Sequence, residues 1–298
     1  MKEQDWQVVM KECPYIPVSV TRSMIEYQNC YFKESDTSKV LYENNKPIGI
    51  WPGIIGEIYQ PPLFIAGISE KVQKKTIESI LYENRDGLKT ATDFYMNNTG
   101  LSVWSQKLIE LGAKVEVKYD LYCNLTQTEE QIWAGVRGSY HSLINKALNY
   151  YWIHIMMGES PDISAVMEMR NFHIKVSGKE TRDINTWKIQ GKTVFERNGY
   201  LVYIKSKDNY LLGASLFNIS RDECLYSVAV YDRELTENQK VPLGHLTIWN
   251  AIKYAKKLGI KWFKLGEWQK DGNAKEKSIS QFKKGFTSHV FPRFKYDF

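Results

Sequence analysis

The fold class is decided by the run Pro242-Leu-Gly-His-Leu-Thr-Ile-Trp-Asn-Ala-Ile-Lys-Tyr-Ala-Lys-Lys-Leu-Gly259 and its continuation Ile260-Lys-Trp-Phe-Lys-Leu265. Apolar side chains recur at helical spacing in the first run, at Leu246, Trp249, Ile252 and Ala255. Proline at the start and glycine at the end are typical helix boundaries. The continuation predicts a buried strand, followed by a helix over Ala274–Lys284 and a strand over His289–Phe294. This alternation is typical of a crossover unit with parallel strands.

Upstream, the pattern predicts an antiparallel meander over Tyr200–Ser206, Leu211–Ile219 and Cys224–Tyr231, separated by polar turns. Residues 126–197 read as mostly helical. We expect one helix from Glu129 to about Tyr150, opened by a Thr126–Glu129 capping box. A short strand at Trp152–Met157, a helix beginning at Ser160-Pro161-Asp162 and a helix over Ile184–Arg197 complete this region.

The first half of the chain repeats the order of the second. Ser69–Glu83 reads as a helix, Leu88–Phe94 as a strand and Leu101–Leu111 as a helix, about 173 positions before their counterparts. Two copies of one α/β unit explain this offset. We therefore expect an N-terminal domain over residues 1–122 and a C-terminal domain over 123–298, with the helical region 126–197 as an insertion.

Composition excludes several classes of protein. The 298 residues are 43% hydrophobic and 25% charged, which is typical of a globular chain. No apolar run approaches the roughly 18 residues that cross a bilayer, and Met1–Asp5 is too polar to open a signal peptide. The four cysteines lie far apart without metal-ligand spacing. We expect a cytoplasmic protein with reduced thiols, no metal site and at most peripheral membrane contact.

The net charge of +6 is unevenly distributed. Asn238–Phe298 holds thirteen Lys or Arg against four Asp or Glu, so the remainder is slightly acidic. A basic quarter could attract a nucleotide, coenzyme A, tRNA or an anionic lipid surface. Alternatively, these lysines solvate helix surfaces.

Two candidate sites fall in the basic quarter. The turn Gln239–His245 precedes a helix, and the N-terminal amides and dipole of a helix suit a pyrophosphate. The residues predicted to bind this pyrophosphate are Lys240, Gly244 and His245. A plain strand-to-helix connection is the alternative. Glu267 follows a strand at the edge of the sheet where ligands bind in open α/β folds, so it could accept a proton from an amine. Alternatively, it is a surface or helix-capping acid.

Other candidates are cationic or aromatic. Lys283 and Lys284 lie on the last turn of a helix, where they either complement the helix dipole or stabilise an oxyanion. Arg182 could clamp a phosphate or pair with Asp183. The candidate substrate-binding residues are Arg137, Tyr140, Lys146, His173, Arg182, Trp187, Tyr226 and Lys284.

Taken together, these residues resemble the FemAB-like branch of the GNAT acyltransferase superfamily. The similar motifs are Arg137-Gly-Ser-Tyr140-His-Ser-Leu-Ile-Asn-Lys146, Thr181-Arg182 with Trp187, Ala255-Lys-Lys-Leu-Gly259, Gly266-Glu267 and Ile279-Ser-Gln-Phe-Lys-Lys-Gly-Phe286. They span about residues 120–290.

The resemblance implies two tandem GNAT-like domains, each a mixed twisted sheet flanked by helices. It also implies transfer of an acyl or aminoacyl group to an amine of a cell-envelope precursor, such as an amino sugar or a peptidoglycan peptide. The family's Phe-Lys lysine, which assists the charged transition state, falls on Lys283, and Glu267 or a water relay would remove the proton. The donor would be acyl-CoA, another acyl thioester or aminoacyl-tRNA, with no tightly bound cofactor. The acceptor would be a phosphorylated nucleotide-sugar or lipid-linked precursor, and DNA is not expected.

Two departures from the family pattern leave alternatives open. The usual acetyl-CoA loop reads Gln/Arg-x-x-Gly-x-Gly/Ala, whereas here the spacing is longer, in Gln239-Lys-Val-Pro-Leu-Gly-His245. The chain also lacks the coiled-coil arm that some tRNA-using members contain. The alternative function is a non-catalytic pair of degenerate GNAT domains that binds a nucleotide or tRNA.

Overall fold

Residues 3–93, 100–158 and 163–298 are described by a computed structural model of the chain. They divide into two units, Met1–Asp120 with Phe291–Phe298, and Leu121–Val290. The sequence-based division assigns residues 291–298 to the second domain instead. They group with the first because Phe294–Asp297 pairs antiparallel with Thr90–Asp93. The predicted helix start at Ser160-Pro161-Asp162 and the strand end at Phe94 lie outside the described residues.

The first unit combines helices with short strands. Its helices are α1 (Glu3–Glu12), α2 (Arg22–Phe32), α3 (Glu70–Glu83) and α4 (Val103–Glu110). Its strands are β1 (Lys39–Glu43), β2 (Lys46–Trp51), β3 (Ile54–Ile55), β4 (Ile58–Tyr59), β5 (Leu63–Phe64) and β6 (Thr90–Asp93), and β7 (Lys114–Asn124) follows α4. α3 joins the parallel strands β4 and β6, with Ile58 opposite Thr90. The aromatic core beneath them contains Trp51, Trp104 and Tyr296.

The second unit begins with helices and continues as a sheet. Its helices are α5 (Glu129–Gly135), α6 (Gly138–Leu148), α7 (Ser164–Ser177), α8 (Ile184–Phe195), α9 (Leu243–Lys257) and α10 (Ala274–Lys284). Its strands are β8 (Ile153–Met156), β9 (Gly199–Lys205), β10 (Leu211–Ile219), β11 (Glu223–Tyr231) and β12 (Trp262–Glu267), and β13 (His289–Asp297) ends the chain. No helix in the described ranges is both long and apolar enough to cross a membrane.

The sheet of the second unit has the order β12-β11-β10-β9-β8. β9, β10 and β11 form the predicted antiparallel meander, and the helix α9 connects β11 to its parallel neighbour β12. Side chains alternate between two cores because successive strand residues point to opposite faces. Tyr200 and Val202 pack with α6 and α9 on one face, and Leu201 packs with α7 and α8 on the other.

The prediction of one helix from Glu129 to Tyr150 is wrong. The chain leaves helical geometry at Val136, where ψ is 140°, and restarts as α6 at Gly138. The backbone amide of Arg137 instead donates to the carbonyl of Gly285 at 2.7 Å. The capping box also lies two residues later than predicted, between Thr128 and Gln131.

The predicted internal repeat is confirmed by the elements themselves. The paired helices α3 and α9 begin at Glu70 and Leu243, 173 positions apart. The paired strands β6 and β12 begin 172 positions apart, at Thr90 and Trp262. In both units, a helix connects two parallel strands.

Candidate functional site

A cavity of about 720 Å³ lies in the second unit, beside the part of β11 that extends beyond its pairing with β12. The two strands pair in parallel at three positions, the last of which joins Leu225 to Lys264. Beyond this pair, β11 continues to Tyr231 and lines the cavity. The remaining walls come from the N-terminal end of α9, from α10 and from Leu143 of α6.

A β-bulge interrupts the part of β11 that lines the cavity. Leu216 pairs with Val228 and Phe217 with Tyr226, so Ser227 has no residue opposite it. The Ser227 hydroxyl donates to Asn218 Oδ1, and Asn218 Nδ2 donates to Gln190 Oε1 at 3.1 Å. Since Asn218 and Gln190 are buried, this chain of polar contacts fixes the bulge from inside the unit.

The N-terminal end of α9 forms one wall of the same cavity. Lys240, Gly244 and His245, the residues predicted to bind a pyrophosphate, all line it. No side chain caps this helix end, so its positive dipole end is available to an anion. A Cβ on Gly244 would lie 3.1 Å from Phe282 Cζ, so glycine allows α9 to approach α10 closely.

Lys283 extends from the last turn of α10 into the cavity. Its ammonium lies 5.4 Å from the centre of the Tyr226 ring. It also lies 3.0 Å from the position that a Cβ would take on Gly266. Gly266 has a φ of +109°, a conformation that favours glycine, so any side chain there would be strained and would crowd Lys283.

Arg137 and Tyr140, which are predicted to bind substrate, contact the helix that carries Lys283. Arg137 Nη2 donates to the carbonyl of Gln281 at 3.1 Å, and the Tyr140 hydroxyl donates to that of Phe282 at 3.2 Å. The Arg137 guanidinium lies 5.0 Å from the centre of the Tyr140 ring. Both residues therefore position the last turn of α10.

Four hydroxyl groups meet behind the cavity wall. The Tyr231 hydroxyl lies 2.7 Å from Ser215 Oγ and 2.8 Å from Thr247 Oγ1, and the Tyr226 hydroxyl lies 3.2 Å from it. Burial raises the pKa of both tyrosines, so both remain neutral hydroxyls. Sequence reasoning found Tyr226 but missed its partners, because these come from three separate elements.

His245 lies in an aromatic enclosure on the cavity wall. Its ring centre is 4.2 Å from that of Tyr140 and 4.9 Å from that of Phe282. Burial, and then repulsion from Arg137, lower the pKa of His245 to about 4. The imidazole is therefore neutral at pH 7.

The remaining candidates lie outside the cavity lining. Glu267 follows Gly266 at the end of β12, and Lys284 lies 3.9 Å from the centre of the Trp268 ring. Lys146 is exposed on α6.

A separate cluster joins three more of the candidates. The Arg182 guanidinium lies 5.3 Å from the centre of the Trp187 ring, and the His173 ring centre lies 5.7 Å from it. Trp187 packs in the core on the other face of the sheet. Burial, and then the Arg182 charge, lower the pKa of His173.

Comparisons of structure identify the fold. FemX aligns over 100% of this chain and 96% of its own, at 10% identity and a TM-score of 0.72. A tandem GNAT protein from the clavulanic acid biosynthesis pathway covers 98% of this chain and 93% of its own, at 12% identity and a TM-score of 0.51. The chain has the tandem GNAT fold. The resemblance seen in the sequence is thus confirmed at the level of fold.

A third similar structure extends this tandem GNAT comparison. L-PGS from Bacillus licheniformis covers 100% of this chain and 91% of its own, at 9% identity and a TM-score of 0.63. No protein-family model matches the sequence, and a search among curated proteins finds no similar sequence.

Proposed function

We propose that the chain is an amide-forming acyltransferase. It would transfer an acyl or aminoacyl group to an amine of a cell-envelope precursor, such as an amino sugar or a peptidoglycan peptide. The observation that carries this proposal is the Lys283 ammonium in a cavity lined by β11 and α10, beside the uncapped N-terminal end of α9. This arrangement supplies positive charge both for the reacting carbonyl and for the phosphates of a carrier.

In the proposed step, the acceptor amine attacks the acyl carbonyl and forms a C–N bond. The C–S bond of a thioester, or the C–O bond of an aminoacyl ester, then breaks. Negative charge develops on the carbonyl oxygen before this collapse, and the Lys283 ammonium stabilises it. The Tyr226 ring lines the same cavity, 5.4 Å from this ammonium, and stays uncharged.

The proton of the amine must also leave. Glu267 does not line the cavity, but it follows Gly266, whose Cβ position would lie 3.0 Å from the Lys283 ammonium. A water molecule between the amine and Glu267 would carry the proton out, which gives Glu267 the role of a remote base. The leaving thiolate or alkoxide finally takes up a proton from solvent.

The donor would be held through its phosphates by the α9 N-terminus and Lys240. Acyl-CoA, another acyl thioester carrier and aminoacyl-tRNA all carry phosphates, and each would act as a substrate. One observation favours the alternative of a non-catalytic nucleotide or tRNA binder. The turn Gln239–His245 departs from the usual acyl-CoA loop, and Pro242 within it supplies no backbone N–H to the pyrophosphate of such a donor.

Replacing Lys283 tests the proposal. The purified chain is incubated with acyl-CoA or aminoacyl-tRNA and amine acceptors, and amide product is measured by mass spectrometry. Lys283→Ala should lower turnover by about 10²–10³-fold, since one oxyanion donor contributes that much. Lys277→Ala, an exposed lysine on the same helix, is the matched control and should retain wild-type turnover.

A thermal unfolding curve for each variant shows that the fold is intact. Unchanged turnover in a folded Lys283→Ala protein contradicts the mechanism. Donor binding by calorimetry without product from any donor and acceptor pair favours the binding protein instead.

A further inference from the structure

A second cavity of about 610 Å³ lies at the edge of the same sheet, separate from the first. One wall comes from Tyr150, Tyr151 and Trp152, which lead from α6 into the edge strand β8. The other wall is the turn between β9 and β10, including Lys205 and Lys207. None of these residues lines the first cavity.

Aromatic side chains at this cavity are exposed to an unusual degree. Trp152 is 81% exposed and Tyr150 is 69% exposed, and Tyr210 beside the turn is 72% exposed. The core beneath is already filled by Tyr151, Ile153 and Leu212, so these rings are not needed for packing. Clustered exposed aromatic surface in a concave site is typical of ligand binding.

The facing turn presents lysines at a fixed place. The Ser206 amide donates to the carbonyl of Tyr210 at 2.8 Å, and the Tyr210 amide donates to Ser206 Oγ at 3.1 Å. Asn209 takes a left-handed φ of 65° that closes the turn. Lys205 pairs with Glu168 at 3.0 Å, and Lys207 is exposed at the cavity rim. Lys207 therefore places a positive charge on an ordered turn, opposite the aromatic side chains of Tyr150 and Trp152.

We propose that this cavity binds a phosphorylated ring compound, with the ring stacked on Trp152 and the phosphate at Lys207. An aromatic surface binds a sugar ring or a base through its flat face, and an ammonium attracts a phosphate. Sugar phosphates and nucleotides share this chemistry. The concave shape, which encloses a small molecule on two sides, favours such a ligand over a flat lipid surface. The site is independent of the acyl transfer proposed above, because it shares no residue with the first cavity.

Titration of the full chain tests the site, with tryptophan fluorescence and calorimetry as readouts. The probes are uridine monophosphate, glucose 1-phosphate, glucose, inorganic phosphate, and vesicles with and without anionic lipid. We expect saturable binding of one or both phosphorylated ring compounds, with a fluorescence change that is lost in Trp152→Phe. Binding of uridine monophosphate alone identifies a nucleotide site, and binding of glucose 1-phosphate alone identifies a sugar phosphate site.

Variants separate stacking from charge. Trp152→Ala should weaken binding by about tenfold, which matches the contribution of one stacked aromatic ring. Lys207→Ala should weaken binding by about fivefold, as expected for an exposed ionic contact. Tyr31→Ala and Lys257→Ala remove an exposed aromatic and an exposed lysine elsewhere and should leave affinity unchanged.

Three outcomes overturn the proposal. The first is no binding of either ring compound at millimolar concentration, including the case in which only vesicles bind. The second is inorganic phosphate binding as tightly as the ring compounds, because stacking then contributes nothing. The third is unchanged affinity in a folded Trp152→Ala protein. Since no arm measures acyl transfer, failure here is distinguishable from failure of the proposed reaction.

Discussion

His245 illustrates how single residues in the site combine structural and chemical roles. Its ring closes an aromatic cluster with Tyr140, Phe282 and Phe286, so it helps to hold α9 against α10. Burial in the same enclosure lowers the pKa of the imidazole and keeps it neutral at pH 7. A neutral ring adds no positive charge to that already supplied by Lys240 and Lys283.

The lowered pKa of His245 predicts a stability that depends on pH. The unfolded imidazole takes up a proton near pH 6.5, whereas the folded one does so only near pH 4. The unfolded state therefore binds more protons below pH 6.5. The stability that neutral His245 contributes is complete above that pH and is lost as the pH falls toward 4.

Urea unfolding at pH 7.5 and pH 4.5 should show this loss as about 2–3 kcal/mol in the free energy of unfolding. His245→Gln should reduce the difference between the two pH values by most of that amount. His154→Gln changes an exposed histidine and should keep the wild-type difference. An unchanged pH dependence in His245→Gln argues against the buried neutral ring.

Gly285 predicts a steric effect at the end of α10. A Cβ at this position would lie 2.2 Å from a ring carbon of the buried Tyr140 and 2.7 Å from its hydroxyl oxygen. Gly285→Ala should therefore destabilise the second unit by about 2–4 kcal/mol. Gly135→Ala is the matched control, because nothing lies within 4 Å of its Cβ position.

Chemical unfolding and turnover measure this pair of glycine variants together. Under the proposed function, Gly285→Ala should also lower turnover, since Tyr140 positions the turn that carries Lys283. Equal stability of the two variants would show that Tyr140 does not fill the space beside Gly285.

At the scale of elements, the cavity depends on a bulge in one strand. Ser227 interrupts the pairing of β10 with β11, and its hydroxyl is held by Asn218, which in turn contacts Gln190 of α8. The wall of the cavity is thus fixed from the opposite side of the sheet. Buried polar contacts of this kind specify geometry more than they add stability.

Asn218→Ala tests this support. The substitution leaves the buried Gln190 and the half-buried Ser227 without their contacts to Asn218, so we expect a loss of about 1–3 kcal/mol in stability. Affinity for the acyl donor should fall as well, because the bulge no longer holds its shape. Asn145→Ala, at an exposed position of α6, is the control for both measurements. Wild-type donor affinity in a folded Asn218→Ala protein would contradict the role of the bulge.

At the scale of the whole molecule, the end of the chain belongs to the first unit. β13 supplies Phe294–Asp297 to β6, and Tyr296 of that strand is fully buried beside Trp104 and Leu108. The first unit therefore contains both early and late parts of the sequence. Its folding requires a contact between residues about 200 positions apart, and such contacts form slowly.

Tyr296→Ala should therefore act on the first unit. Removing this buried ring should destabilise the first unit by about 3–5 kcal/mol, in the range of large-to-small core substitutions. Hydrogen exchange should rise in β6 and α4 and stay at wild-type rates in β9–β11. Phe298→Ala, at an exposed position two residues later, should leave exchange unchanged. A uniform rise across both units would show that the division into two units does not describe their stability.

Local patterns account for much of the fold. Helical spacing around Trp249 and the alternating runs around Phe217 predicted α9 and the meander because each pattern depends only on residues near in sequence. The turn at Gln239–His245 and the Phe-Lys motif predicted Lys240, Gly244, His245 and Lys283, which share one cavity. Each of these signals lies within a few residues of its element.

The sequence by itself determined the repeat of helices and strands, the basic C-terminal quarter and the residues on the α9 and α10 walls. Only the tertiary structure decided that Arg137 and Tyr140 contact α10. It also placed Trp187, with Arg182 beside its ring, on the opposite face of the sheet. It brought Ser227 and Tyr231 into the lining of the cavity. It also grouped Phe291–Phe298 with the first unit and ended α5 before Val136. The physical reason is that these features depend on contacts between residues distant in sequence, whereas periodicity and turn signals report only neighbours along the chain.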